Sequence, residues 1–149
     1  MRFIICLDDK NGMLFNNRRQ SRDKVVLEDI FNDLKSEELC ITSFSEKLFS
    51  DYQSQIQIVD TPLTGGTFFA ENIDLSAFNN DIEEIIVYKW NRVYPGDFFC
   101  NIDFSRFNIE SVAEFPGNSH EKITKIIYKR LKVWEYTLKE GKVWKIKRI

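Results

Sequence analysis

Apolar residues open this chain as a short unbroken run and then settle into helical and alternating patterns. Phe3 to Leu7 is continuously apolar and closed by Asp8-Asp9, which predicts a strand buried on both faces in the middle of a parallel sheet. Lys10-Asn11-Gly12 is turn chemistry. Phe15 to Arg22 reads as a polar loop in which Ser21 is a suitable helix N-cap. Leu27, Ile30, Phe31 and Leu34 recur at helical spacing and predict a helix from Arg22 to Lys35. Asp23 falls in its first turn, where the helix dipole favours an anion.

Leu39 to Thr42 predicts a second buried strand, and Ser45 to Tyr52 a short helix with Leu48, Phe49 and Tyr52 on one face. Ile56 and Ile58 mark a third strand. After the loop at Pro62, Gly65 and Gly66, Thr67 to Ala70 is a brief strand, and Leu75 and Phe78 suit a helical turn. Glu84 to Trp90 and Ser111 to Phe115 are further strands, separated by the turn Pro95-Gly96-Asp97. Residues 118 to 131 fit a helix face and a strand equally. Val133 to Leu138 and Val143 to Ile146 alternate around Lys139-Glu140-Gly141-Lys142, a hairpin pattern. The order predicts an α/β fold: a central, mostly parallel sheet with helices on both faces and an antiparallel end. Residues 1–130 are read as one domain, and 131–149 as a hairpin extension packed on it.

Composition narrows the class. The 149 residues are 43% hydrophobic and 30% charged, with six Gly and three Pro, a balance that builds a core rather than a disordered chain. A net charge of -2 disfavours indiscriminate binding to nucleic acid or anionic membrane but leaves local basic patches open. Cys6, Cys40 and Cys100 are odd in number and widely spaced, as expected of free thiols in a reducing cytoplasm. No run approaches the roughly 18 apolar residues of a membrane helix.

Five features carry candidate chemistry. Asn16-Asn17-Arg18-Arg19-Gln20-Ser21-Arg22-Asp23 sets guanidiniums and amides before a helix N-terminus, suited to a phosphate, a carboxylate or a nucleotide. The same residues also suit a solvated loop whose arginines pair with Asp23 and Asp8. Asp8 and Asp9, with Asp23, would hold magnesium for a metal-dependent nuclease, or else serve turns and caps. Lys89-Trp90-Asn91-Arg92-Val93-Tyr94 interleaves cations with aromatics, as a base-stacking platform does, or as a strand edge with Trp90 in the core. His120 is the single histidine. A catalytic Ser-His pair would need a separate Ser and acid brought to it in space. Finally, Lys139, Lys142, Lys145, Lys147 and Arg148, with Trp134 and Trp144, form a basic tail for nucleic acid or a protein partner.

Two resemblances follow from particular residues. Ile85 to Phe99, containing Pro95-Gly96-Asp97-Phe98-Phe99, with Glu110 to Phe115 and Asn118-Ser119-His120, resembles the C-terminal half of dihydrofolate reductase. Strand, Gly12-Met13, helix and strand follow in the family's order at the N-terminus. The resemblance covers residues 1 to 130. It implies that fold, NADPH as cofactor, and Asp23 as the nearest match to the catalytic carboxylate. The family's Met-Pro-Trp element is matched only by Met13-Leu14-Phe15. Its phosphate-gripping Gly-Arg-x-Thr falls at Ser43-Phe44-Ser45-Glu46, without the Arg. Its Gly-Gly is matched only by Gly65-Gly66, displaced relative to the strands. No Arg near Tyr52 to Ile58 would hold folate's glutamate tail. The expectation is therefore a reductase-like scaffold with a small anionic or nucleotide ligand, or a nucleic-acid- or protein-binding module on that scaffold. In addition, Phe15 to Asp23, Tyr88 to Pro95 and Ser119 to Thr124 are similar to small clostridial and related proteins labelled ribonuclease Z. That label implies a zinc site built on His-x-His-x-Asp-His, which one histidine cannot supply.

Overall fold

The computed structural model describes residues 1–62 and 65–131. The hairpin expected at 133 to 146, and the basic tail with it, lie outside the described residues. Strand β1 (Arg2–Leu7) runs through the middle of a seven-stranded sheet. Its neighbours, β6 (Thr67–Phe69) and β7 (Glu84–Lys89), are both parallel to it. β4 (Leu39–Ile41) and β5 (Ile56–Ile58) extend the parallel part beyond β6. β10 (Ile123–Arg130) and β9 (Phe107–Phe115) close the other end antiparallel, giving the order β5-β4-β6-β1-β7-β10-β9. The unbroken apolar run of β1 is explained by this position. Phe3, Ile5 and Leu7 enter the core on one face and Ile4 the core on the other.

Helix α1 (Lys24–Leu34) lies on one face and buries Val26, Ile30, Phe31 and Leu34 against Leu39, Ile41, Phe69 and Ile86. Each side chain so removed from water contributes about 1.5–3 kcal/mol. The N-cap is Asp23, not Ser21, so the helix starts two residues later than Arg22. The aspartate wins because its side chain accepts from the Val25 N–H while its backbone stays extended. The segment Ser43–Gln55 on this face forms 3-10 turns broken at Phe49 and Tyr52 rather than one short helix. Tyr52 stacks on Phe31 at 4.1 Å between ring centroids. The opposite face is covered by the 3-10 turns Leu75–Phe78 and Phe104–Arg106 and by a small three-stranded sheet.

That small sheet corrects the loop expected from Phe15 to Arg22. β2 (Gly12–Phe15) and β3 (Arg18–Arg19) pair as a hairpin, and β8 (Phe98–Phe99) adds to β2. Asn16 and Asn17 form its two-residue turn with φ of 51° and 58°. Asparagine tolerates this left-handed region, which matches the twist of a tight hairpin. The ambiguous stretch 118 to 131 resolves as a strand, because β10 must fill the slot between β7 and β9. The strand expected at Ser111 begins earlier, at Phe107, because Asn108 and Ile109 also pair with β10. A buried ion cluster pins β10 to α1. Lys125 reaches Asp29 at 2.8 Å and also Asp33, and Tyr88 donates to Asp29 at 2.6 Å. Burial pushes the Lys125 ammonium down, but the two carboxylates outweigh it and hold the group above its ordinary value. Among the described residues no helix is long and apolar enough to cross a membrane.

Candidate functional site

The segment from Arg19 to Asp23 leaves the hairpin, crosses the carboxyl end of β1 and enters α1. Here it meets the turn from Gly117 to His120. Asp23 is 3% exposed and lies at the junction. One carboxylate oxygen accepts from the N–H groups of Val25 and Asn118, each at 2.9 Å. The other accepts from the Ser119 N–H at 2.9 Å and lies 2.8 Å from His120 Nδ1. Burial pushes the Asp23 carboxyl up, but these hydrogen bonds outweigh it and hold the group at about 2. His120 is 4% exposed and stacks on Trp90 at 4.6 Å. Its Nε2 lies 2.9 Å from Ser21 Oγ and 3.1 Å from the Tyr94 hydroxyl. Gly117 leaves no room for a side chain: a Cβ there would stand 2.5 Å from Asp23 Oδ2 and 2.9 Å from the His120 carbonyl. Gly117→Ala is expected to cost about 2 kcal/mol, as overpacking does, read as a lower urea midpoint.

A second carboxylate meets the arginines. Glu71, 7% exposed just past β6, accepts from Arg19 Nε and, at 2.7 Å, from Arg19 Nη2. It also accepts from Ser45 Oγ at 2.6 Å. Arg19 is thus held in a two-pronged pair, the geometry a guanidinium makes with a bound carboxylate or phosphate. The chain supplies that anion itself.

Asp8, 1% exposed, organises the turn after β1. It accepts from the N–H groups of Lys10 and Gly12 at 2.9 and 2.7 Å, from the Tyr94 N–H at 3.1 Å, and from Gln20 Nε2 at 3.3 Å. Asp9 is exposed, and its N–H donates to the Arg92 carbonyl at 2.8 Å. Asp8, Asp9 and Asp23 form no acidic cluster: among the described residues, no group of three His, Cys, Asp or Glu side chains is placed to hold a metal ion. The Asp8 and Asp23 carboxylates each hold separate backbone N–H groups.

Between the β2–β3 hairpin and the Tyr94-Pro95 segment lies an open cleft of about 560 Å³, lined by Phe15, Asn16, Arg18, Arg19, Gln20, Tyr94 and Pro95. Arg18 is exposed there and makes no ion pair among the described residues. Gln20 donates from Nε2 to the Pro95 carbonyl at 3.1 Å, while its Oε1 is buried without a hydrogen-bond partner among the described residues. The structure therefore brings Asn16, Arg18, Arg19 and Gln20 to one cleft and sends Ser21 and Asp23 to His120. Arg22 is exposed at the edge of a separate hollow beside Lys24 and Lys47. Trp90 is 3% exposed with His120 against it, and Lys89 lies in β7. The base-stacking platform expected from Lys89 to Tyr94 is not assembled, since Trp90 spends its ring on the core.

Glu71, Ser45 and Tyr94 were not legible as partners of the arginine segment or of His120. Glu71 follows a short apolar strand, and no spacing rule ties it to an arginine 52 residues away. An acidic residue at the carboxyl end of a buried strand was the available signal.

No family model matches the sequence, and no curated protein matches it. Among solved structures the chain is similar to dihydrofolate reductase from Enterococcus faecalis complexed with NADP(H) and RAB-propyl, with a TM-score of 0.65 and 10% sequence identity. The match covers 88% of this chain and 96% of that one. The fold is therefore dihydrofolate-reductase-like; at this identity the likeness concerns the fold alone.

Proposed function

We propose that this protein binds a small anionic ligand with an aromatic ring, of the nucleotide class, in the cleft beside the β2–β3 hairpin, without reductase chemistry. The observation that carries the reading is Arg18, exposed and without an ion pair among the described residues, in a cleft of about 560 Å³ with an aromatic wall from Phe15 and Tyr94. That volume is within the range of small-molecule sites.

The residues present do not fit NADPH. Where the resemblance places phosphate-gripping residues, Ser45 is engaged by Glu71, and Glu71 also takes Arg19. A carboxylate in that place repels a phosphate. The residues after β6 are Ala70-Glu71, and Gly65-Gly66 precede the strand instead of following it. The helix N-terminus is likewise closed to an outside anion by Asp23.

Thermal shift against mononucleotides, dinucleotides and folates tests the reading. A mononucleotide at about a hundredfold above its dissociation constant stabilises the fold by about 2.7 kcal/mol. Arg18→Ala weakens that binding about tenfold or more, the worth of a charge-assisted hydrogen bond. No stabilisation by any nucleotide would falsify the proposal. Salt-dependent binding of RNA through the described residues, with none of mononucleotides, would favour the nucleic-acid module instead.

A further inference from the structure

We propose that Ser21, His120 and Asp23 form a nucleophilic relay that accepts an acyl group from an ester with a small acyl part, at a site that adjoins the nucleotide cleft and shares Tyr94 with it. Three residues from two distant stretches meet in the order such chemistry needs. Ser21 Oγ lies 2.9 Å from His120 Nε2, and His120 Nδ1 lies 2.8 Å from Asp23 Oδ2. An ionised Asp23 accepts the Nδ1 proton, which leaves Nε2 as the free base facing the serine hydroxyl. The carboxylate is itself held by the N–H groups of Val25, Asn118 and Ser119, and the imidazole lies flat on Trp90. The pair is thus fixed in one orientation before any ligand arrives.

Two further features match the chemistry. The Tyr94 hydroxyl, 3.4 Å from Ser21 Oγ, is a donor in reach of an oxyanion formed on a carbon bound to that oxygen. Ser21 also borders a cavity of about 20 Å³ walled by Met13, Val26 and Phe69 and, on its polar side, by Arg19 and Glu71. A space of this size holds one water or a methyl group, so the acyl part is acetyl-sized. Capping α1 and bracing the turn at His120 explain Asp23 alone. They do not call for a hydroxyl at position 21 aimed at Nε2.

The step balances as follows. Ser21 Oγ bonds to the acyl carbon as its proton passes to Nε2, and the carbonyl electron pair moves onto oxygen. That pair returns and expels the alkoxide, which takes the proton from Nε2 and leaves as alcohol. Water then adds to the acyl carbon and gives a proton to Nε2. The bond to Oγ breaks, Oγ recovers the proton, and the carboxylic acid leaves.

p-Nitrophenyl acetate and a fluorophosphonate probe on the full chain test this. A burst of one equivalent of nitrophenol and a single adduct mapped to Ser21 are expected. Ser21→Ala and His120→Gln lower the burst rate about a hundredfold or more. Ser21→Ala stays folded with only a slightly lower melting temperature, because the Tyr94 hydroxyl still faces Nε2, so the lost burst is not one of folding. An octanoyl ester reacts far more slowly than acetyl. No adduct, an adduct on Tyr94 or a lysine instead of Ser21, equal rates for both esters, or hydrolysis by Ser21→Ala at the wild-type rate would overturn the proposal.

Discussion

Asp23→Ala lowers the unfolding free energy by about 3–5 kcal/mol in urea titration, one of the two largest single-site effects expected in this chain. Loss of the N-cap accounts for about 1 kcal/mol. The rest arises because the N–H groups of Asn118 and Ser119, and His120 Nδ1, lose their acceptor in a place that water reaches poorly. Ser21→Ala, two residues away, removes a contact to His120 Nε2 but leaves these three groups their acceptor, and serves as the comparison. A loss below about 1 kcal/mol for Asp23→Ala would mean that the turn is held by something else. The same carboxylate sets an acid limit. Its folded-state value of about 2 lies below the ordinary 3.8, so ionised Asp23 favours the folded form. The contribution, about 2 kcal/mol, is present in full above about pH 5 and is lost as pH falls through 2. Stability measured from pH 5 down to pH 2 should therefore drop more steeply in the wild type than in Asp23→Ala.

Glu71→Ala is expected to cost about 3–4 kcal/mol and to turn Arg19 outward as an anion site. Removing one partner of a buried pair leaves the other charge without compensation. Arg19 would lose both its contacts with Glu71, and Ser45 Oγ its only acceptor among the described residues. Inorganic phosphate should then raise the melting temperature of the variant more than that of the wild type, because the gap has the shape a phosphate oxygen fills. Replacing both Arg19 and Glu71 with leucine should recover much of the loss, since the pair gives up no unpartnered charge. A variant as stable as the wild type and indifferent to phosphate would show that the pair contributes neither packing nor exclusion.

These two carboxylates also divide what was legible from what was not. Asp23 stood out in the sequence because it precedes a helical pattern, and Arg19 because it sits among other cations. Each invited a reading as a ligand group. The structure fills both: Asp23 serves the turn at His120, and Arg19 serves Glu71. Sequence patterns find the groups that seek a partner, but the partner comes from another part of the chain. In the same way Ser21 looked like a cap and His120 like a solitary polar residue, and 99 residues of chain separate the two atoms that meet.

The sequence by itself determined the elements and their class. The apolar run of Phe3 to Leu7 required burial on both faces. The spacing of Leu27, Ile30, Phe31 and Leu34 required a helix against a sheet. The order of strands and helix, with Pro95-Gly96-Asp97 and Asn118-Ser119-His120, pointed to the dihydrofolate-reductase-like arrangement. The strand and the helix are local consequences of side-chain period and backbone preference, whereas the arrangement followed from the family resemblance of those residues. Tertiary structure alone decided that 118 to 131 is a strand, since its isoleucines suit both periods and only the slot between β7 and β9 chooses. It alone decided that Trp90 belongs to the core and that Ser21, His120 and Asp23 meet. Such contacts depend on how the sheet folds distant segments over the end of β1, and no local pattern encodes that distance.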